Sequence, residues 1–248
     1  MTRVRVAAHV HSDWSDDGAW SLDAIARAFA RRGYDAVLMS EHDHGFTPSR
    51  WEAYQRACAD ASANGILLAP GIEYQDGDNV VHIPVWGDAV PFLGASRPTL
   101  ELLRLALREG AVCVFAHPWR RDALLRYRPE WGALLSAVEI WNRRYDGIAP
   151  HPSAMAFVRQ HSLRPFVAHD FHTRRQFFPL SMSMRLMQPL SAAALVEAIR
   201  LGQCQPELLG ISALRFTCGL EGAIAHALEA LRRQTARRIR ALQAFAAP

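Results

Sequence analysis

Short apolar runs that contain, or end in or beside, a histidine or a carboxylate recur along this chain: VRVAAHV, DAVLMSEH, ILLAPGIE, VVHIPVWG, AVCVFAHP and PFVAHDFH. Together with AVEIWN they give seven strand-like segments. Between them lie stretches whose apolar residues repeat at helical spacing, such as Leu22, Ile25, Ala26 and Phe29 in Ser21 to Arg32. Leu102, Leu103, Leu105 and Ala106 do the same in Thr99 to Gly110, and WEAYQRACADASANG and Pro152 to His161 are further expected helices. Strands alternating with helical crossovers predict an α/β fold with a largely parallel sheet. In such folds, polar groups at the carboxyl ends of strands gather on one edge, where sites form.

His9 and His11 stand two apart, so both face the same way if their strand stays extended. Asp16 can return from the first loop, His42 follows the second strand and Glu73 the third. His82 lies on the fourth strand, His117 ends the fifth, and Asp170 and His172 repeat the two-residue spacing on the seventh. Taken singly, His82 within VVHIPVW reads as a hydrogen-bonded core histidine, and Asp16 and Asp170 read as turn formers. Nine such groups at one sheet edge need a joint explanation, and metal coordination supplies it. Six imidazoles with three carboxylates suit Mn, Fe or Zn better than a thiolate site, and nine ligands exceed the needs of one ion. Two or three divalent or transition-metal ions are expected.

The stretches HVHSDWSDDG, MSEHD, GIE, VHI, FAHP and AHDFH, in this order over roughly residues 3 to 186, resemble the PHP (polymerase and histidinol phosphatase) superfamily. The resemblance implies a distorted seven-stranded β/α barrel and a two- or three-metal centre for phosphoester hydrolysis. It implies one metal among His9, His11, Glu73 and Asp170, a second bridged by Glu73 and held by His82 and His117, and a third among Asp16, His42 and His172. Two departures stand out. Asp16 and Asp17 both precede Gly18 where the family commonly has one aspartate, which leaves open which acid coordinates, and Glu41 precedes His42 where an aspartate is commoner. The added methylene of Glu41 bears on the support around the metals.

Arginines supply the substrate side. All 28 basic residues are arginine, for a net charge of +4. Arg120 and Arg121 follow His117, and Arg143 and Arg144 follow AVEIWN; any of them can clamp phosphate through bidentate contacts. His44 is a candidate substrate contact or proton donor. Glu73, His44, Arg120, Arg121 and Arg143 form the expected catalytic set. There is no GxGxxG or GKS/T phosphate loop, and no CxxC pair among Cys58, Cys113, Cys204 and Cys218. Free thiols, no run of roughly 18 apolar residues and no signal-like start together lead to the expectation of a cytoplasmic protein with no membrane association.

The expected activity is metal-dependent hydrolysis of a phosphoester in a small phosphorylated metabolite, nucleotide or short oligonucleotide. Histidinol-phosphate hydrolysis and a non-catalytic, metal-stabilised nucleic-acid or polymerase-interaction module are the alternatives. Only 35 positions separate His82 from His117, too few for a substrate-covering insertion, so an open mouth is expected. The chain is expected to be one unit over residues 1–248. Its helical C-terminal region, 187–248, follows an edge strand in SMSMRLM and closes with a long helix bearing Arg232, Arg233, Arg237, Arg238 and Arg240. One face of that helix can pack on the body while another stays solvated.

Overall fold

A computed structural model describes residues 1–63 and 65–245, with side chains through residue 240. In chain order the elements are β1 (Thr2–Val10), α1 (Leu22–Ala30), β2 (Ala36–Met39), β3 (Glu41–His42), α2 (Pro48–Ser62), β4 (Leu67–Ala69), β5 (Gly71–Gln75), β6 (His82–Trp86), α3 (Thr99–Arg108) and β7 (Val112–Phe115). They continue with α4 (Ala123–Arg126), β8 (Ala137–Asn142), α5 (Ala154–Gln160), β9 (Pro165–Ala168), β10 (Leu180–Leu186), α6 (Ala192–Arg200), β11 (Cys204–Leu208), β12 (Ile211–Ser212) and α7 (Gly219–Phe245).

Two mixed sheets result, in the orders β12-β11-β10-β1-β2-β4 and β3-β5-β6-β7-β8-β9. Only Ser40 separates β2 from β3 and only Pro70 separates β4 from β5, so two chain segments pass from one sheet into the other. At the far side the end of β9 meets β1: His169 N–H donates to Ala8 O at 3.0 Å, Phe171 N–H to His9 O at 3.1 Å and His11 N–H to Phe171 O at 2.9 Å. The strands are buried on both faces, with Val6, Ala7, Ala8, Val37, Leu38, Val114, Ile140 and Val167 all in the core. That explains their near-continuous apolar runs.

The helices follow their sequence signals. Ser21 Oγ caps α1 by accepting from Ala24 N–H at 3.3 Å, and Leu22, Ile25, Ala26 and Phe29 form its buried face. α2 starts earlier than its apolar spacing suggested, because Thr47 caps it and Pro48 takes the first turn.

Three expectations need correction. The sheet is not largely parallel, since β6 runs antiparallel to both β5 and β7; periodicity reports burial, not direction. SMSMRLM is not an edge strand, because β10 lies between β1 and β11, with Val4 opposite Met184 and Met182 opposite Pro206. The C-terminal region is not wholly helical either: β11 and β12 form a hairpin before α7. All four cysteines are free. Among the described residues, no helix is long and apolar enough to cross a membrane.

Candidate metal centre

Glu73 sits on β5, almost wholly buried, with five imidazoles from four strands or their ends turned toward it. Its Oε1 lies 3.1 Å from His9 Nε2, 3.0 Å from His82 Nδ1 and 3.0 Å from His117 Nε2. Its Oε2 lies 3.2 Å from His42 Nδ1 and 3.6 Å from His11 Nε2. The antiparallel course of β6 explains His82: as the first residue of its strand it pairs with Gln75, at the edge where β5 ends.

Backbone distortion brings the other groups in. His9, His117 and Asp170 all have positive φ, at 61°, 27° and 48°. Side chains rarely adopt this left-handed conformation, and it concentrates where function demands it. The register of β1 against β2 shifts between Ala8 and Val10, so His9 occupies a bulge. Its ring therefore meets that of His11, centroids 5.1 Å apart, through a bulge and not through simple alternation. Asp170 completes this side, with Oδ1 3.9 Å from His11 Nε2 and Oδ2 3.7 Å from His117 Nε2.

A third cluster forms at the rim. His42 Nε2 and His172 Nε2 lie 3.3 Å and 3.0 Å from Asp17 Oδ1. Asp16 instead points to His44, with Oδ2 3.1 Å from Nε2, and is largely exposed. The adjacent Gly18 packs so closely on the chain that an added Cβ would lie 1.8 Å from Ser12 O, so no other residue fits this turn.

The residues fit metal ions. His9 Nε2, His11 Nε2, His42 Nδ1 and His82 Nδ1 are buried with no aligned hydrogen-bond partner, although Glu73 stands close by. An unsatisfied buried nitrogen is costly, and a cation shared with the carboxylate relieves that cost. Ligand atoms from His9, His11 and Asp170 lie within 4.8 Å of one another, as do those of His9, Glu73 and His117, of His42, Glu73 and His82, and of His11, His42 and His172.

The charges agree with the geometry. Burial pushes the Glu73 carboxyl up, but His9, His82, His117 and His42 outweigh it and hold it well below its usual range. Asp170 is lowered too, against burial, by His9, His117 and His172. Burial, with His172 and His42 nearby, takes His11 well down, while hydrogen bonds to Asp17 and Glu73 overcome burial at His42 and raise it to about 10.

No protein-family model matches the sequence, and no curated protein does. Solved structures do match in fold. A two-domain protein from Bacteroides vulgatus, described as containing a predicted PHP-like metal-dependent phosphoesterase, superposes with a TM-score of 0.63 at 19% identity, over 84% of this chain and 65% of that one. The chain thus spans less than two thirds of that relative. PsfC from Pseudomonas syringae gives 0.63 at 14% identity, over 95% and 99% of the two chains. The lesion-specific endonuclease EndoQ from Pyrococcus furiosus gives 0.59 at 15% identity, over 83% and 58%.

The chain shares the fold of these structures.

Around the clusters runs a layer of supporting groups that spacing alone did not reveal. Glu139, in the middle of AVEIWN, accepts from His9 Nδ1 at 2.7 Å, from His117 N–H at 2.8 Å and from Asn142 Nδ2 at 2.8 Å. Asn142 also donates to Asp170 Oδ2 at 3.2 Å. Asn79 Oδ1 holds His82 Nε2 at 2.6 Å. Glu41 is fully buried, accepting from Ser12 N–H and Oγ, from Ser15 Oγ at 2.5 Å and from Tyr54 Oη at 3.0 Å. Ser15 Oγ in turn lies 3.3 Å from His11 Nδ1 and accepts from His42 N–H at 3.0 Å. The longer side chain of Glu41 thus ties the first loop to β3. A carboxylate inside an otherwise apolar strand was the available signal for Glu139.

The arginines divide. Arg144 reaches the clusters, with Nη1 3.4 Å from Asp170 Oδ1 and against the His172 ring, and Nη2 3.3 Å from Asp17 Oδ2. Arg120 lies at the mouth, donating to Asn79 O at 2.8 Å and to Tyr145 Oη at 3.0 Å, with Nη1 3.3 Å from His82 Nε2. Arg121 is outside the cavity, donating to Asn79 O at 3.1 Å. Arg143 turns away, its guanidinium 5.2 Å over the Phe178 ring. The cavity left between these groups holds about 150 Å3 and is lined by Asp17, His42, His44, Glu73, Asn79, His82, His117, Arg120, Arg144, Tyr145 and Asp170, among others.

Proposed function

We propose that this protein is a metal-dependent phosphoesterase, its two sheets wrapping into a distorted seven-stranded barrel through the broken β2/β3 and β4/β5 segments and the β9–β1 seam. The observation that carries this reading is the single buried carboxylate of Glu73 with His9, His11, His42, His82 and His117 converging on it. In this reading His9, His11 and Asp170 with Glu73 would hold one ion, and His82 and His117 with Glu73 would hold another. Asp17 would join His42 and His172 in a third position, with Asp16 beside it.

Bound metal would supply Lewis acidity toward phosphoryl oxygens and a water ionised near neutral pH. The chain's own residues do the rest. Arg144 and Arg120 flank the cavity and bind the phosphoryl oxygens, and Tyr145 holds the Arg120 fork in place. His44, partnered by Asp16 at the rim, gives a proton to the leaving oxygen as the P–O ester bond breaks. At about 150 Å3 the cavity is smaller than the roughly 300–1,000 Å3 of ordinary ligand pockets, so most of a substrate would lie outside it. That favours a terminal phosphate on a small metabolite, nucleotide or short oligonucleotide.

The test is a substrate panel read by phosphate release and product chromatography, with protein loaded separately with Mn, Fe or Zn. Turnover of small phosphate esters that disappears in E73Q is expected. A folded E73Q protein with wild-type turnover overturns the assignment, and processive degradation of long nucleic acid without turnover of small esters overturns the substrate class.

A further inference from the structure

The helix α7 carries its largest apolar side chains on the wrong side for a helix that packs on the body. Its inward face is made by Gly222, Ala225 and Glu229, all buried, with Ala236 half-buried beyond them. Glu229 fixes that face: it accepts from Ile148 N–H at 3.0 Å and from Arg232 at 2.7 Å, and pairs with Arg233. Beside that face stand Leu220, Ile224, Leu228, Leu231 and Ile239, each at least half exposed, and Leu228, Leu231 and Ile239 share a groove with Ile148 of the body. With Thr235 they form one continuous stripe, because helical residues three and four apart are neighbours. Isolated exposed leucines are ordinary, but a stripe along five turns marks a surface that something covers.

The spacing says what covers it. From Leu220 through Ile224, Leu228, Leu231 and Thr235 to Ile239 the steps are 4, 4, 3, 4 and 4, the same in either direction. A copy of the helix turned end for end therefore sets Leu228 against Leu231, Ile224 against Thr235 and Leu220 against Ile239. This is the self-complementarity that a two-fold interface requires. Leu228 and Leu231 occupy successive a and d positions, which face each other across an antiparallel pair. Charge selects the same direction. Glu221 and Arg238 take the a and d positions at opposite ends of the seam, and the reversed copy places Glu221, which pairs with Arg215 of its own chain, opposite Arg238, whereas a parallel copy opposes Arg238 to Arg238. The exposed apolar surface of the stripe supplies roughly half of the ~800 Å2 per partner that a specific interface buries, and the stems of Arg232 and Arg238 with Thr235 extend it.

We infer that this protein forms a two-fold dimer through antiparallel packing of α7 on α7 of a second copy, centred between Glu229 and Ala230. Sedimentation velocity over a concentration series, with the full chain, tests this directly. The wild type should sediment as a dimer at micromolar concentration, and L231R as a monomer with unchanged far-ultraviolet circular dichroism. R238E should weaken association by roughly tenfold, the size of one interfacial charge pair, and E221R/R238E should recover most of that loss. A wild type that stays monomeric throughout, or a folded L231R that dimerises as the wild type does, overturns the dimer. Failure of E221R to rescue R238E overturns the antiparallel register. If L231R loses its helical signal, L228Q serves as the second variant, with the same two outcomes deciding.

Discussion

Glu139 and His9 meet at 2.7 Å beneath the candidate metal centre, Oε1 against Nδ1, with both side chains fully buried. A carboxylate behind an imidazole holds the other ring nitrogen, here Nε2, aimed at the metal position and raises its basicity. Glu139 Oε2 meanwhile accepts from His117 N–H and from Asn142 Nδ2, so one side chain orients groups of both principal clusters. Glutamine has a single acceptor oxygen and cannot serve both sets. E139Q should bind metal about 10–100-fold more weakly while remaining folded. Metal content after dialysis against graded chelator, with circular dichroism as the fold control, measures this. Wild-type retention would show that Glu139 is only a buried spacer.

Adjacent aspartates divide the rim between them. Asp17 faces His42 and His172, whereas Asp16 faces His44. D17N should therefore lower the metal stoichiometry of fully loaded protein by about one ion, and D16N should leave stoichiometry intact while slowing turnover. Elemental analysis of the two variants side by side separates them. Loss of an ion in D16N and not in D17N would reverse the assignment.

Most of the clustered groups were legible in the sequence because imidazoles and carboxylates are conspicuous at the ends of apolar runs. His82 was legible for a reason other than direction: it opens an antiparallel strand, yet its position beside Gln75 still puts it at the common edge. Apolar patterning carries no information on direction, so neither the reversal of β6 nor the central place of β10 followed from it. Asp17 and Arg144 were hidden by doublets, Asp-Asp and Arg-Arg, in which the local turn geometry decides which side chain points inward. Glu139 was passed over because AVEIWN looks like an ordinary strand until three donors are seen to need its two oxygens.

The second doublet gives a kinetic contrast. Arg144 lines the cavity and Arg143 does not, its guanidinium lying over Phe178. A charge-assisted hydrogen bond to phosphate is worth roughly 1.5–3 kcal/mol, so R144A should lose about 10–100-fold in kcat/KM, much of it in KM. R143A should remain near wild type. R120A should raise KM and also weaken metal retention, since Arg120 braces the Asn79 that holds His82. Equal kinetic losses in R143A and R144A would point to disruption of their shared loop and not to a phosphate contact.

That loop also carries a titrating group outside the metal ligands. Burial, with Glu139 and Glu229 nearby, pushes the Asp146 carboxyl from 3.8 up to about 7, even though Asn142 N–H donates to its Oδ2 at 2.7 Å. With the folded pKa above the unfolded one, the folded state binds the proton more tightly. The resulting stabilisation is complete below about 3.8 and is lost as pH rises through about 7. Asparagine mimics the neutral acid and can accept from Asn142 N–H through its amide oxygen. D146N should match the wild type at pH 4 and exceed it at pH 8 by up to ~4 kcal/mol. Each kcal/mol should appear as about 2–4 °C in Tm for a protein of this size. Thermal melts of both proteins across this pH range provide the measurement. A Tm difference that stays constant with pH would mean that Asp146 does not change protonation in this window on folding.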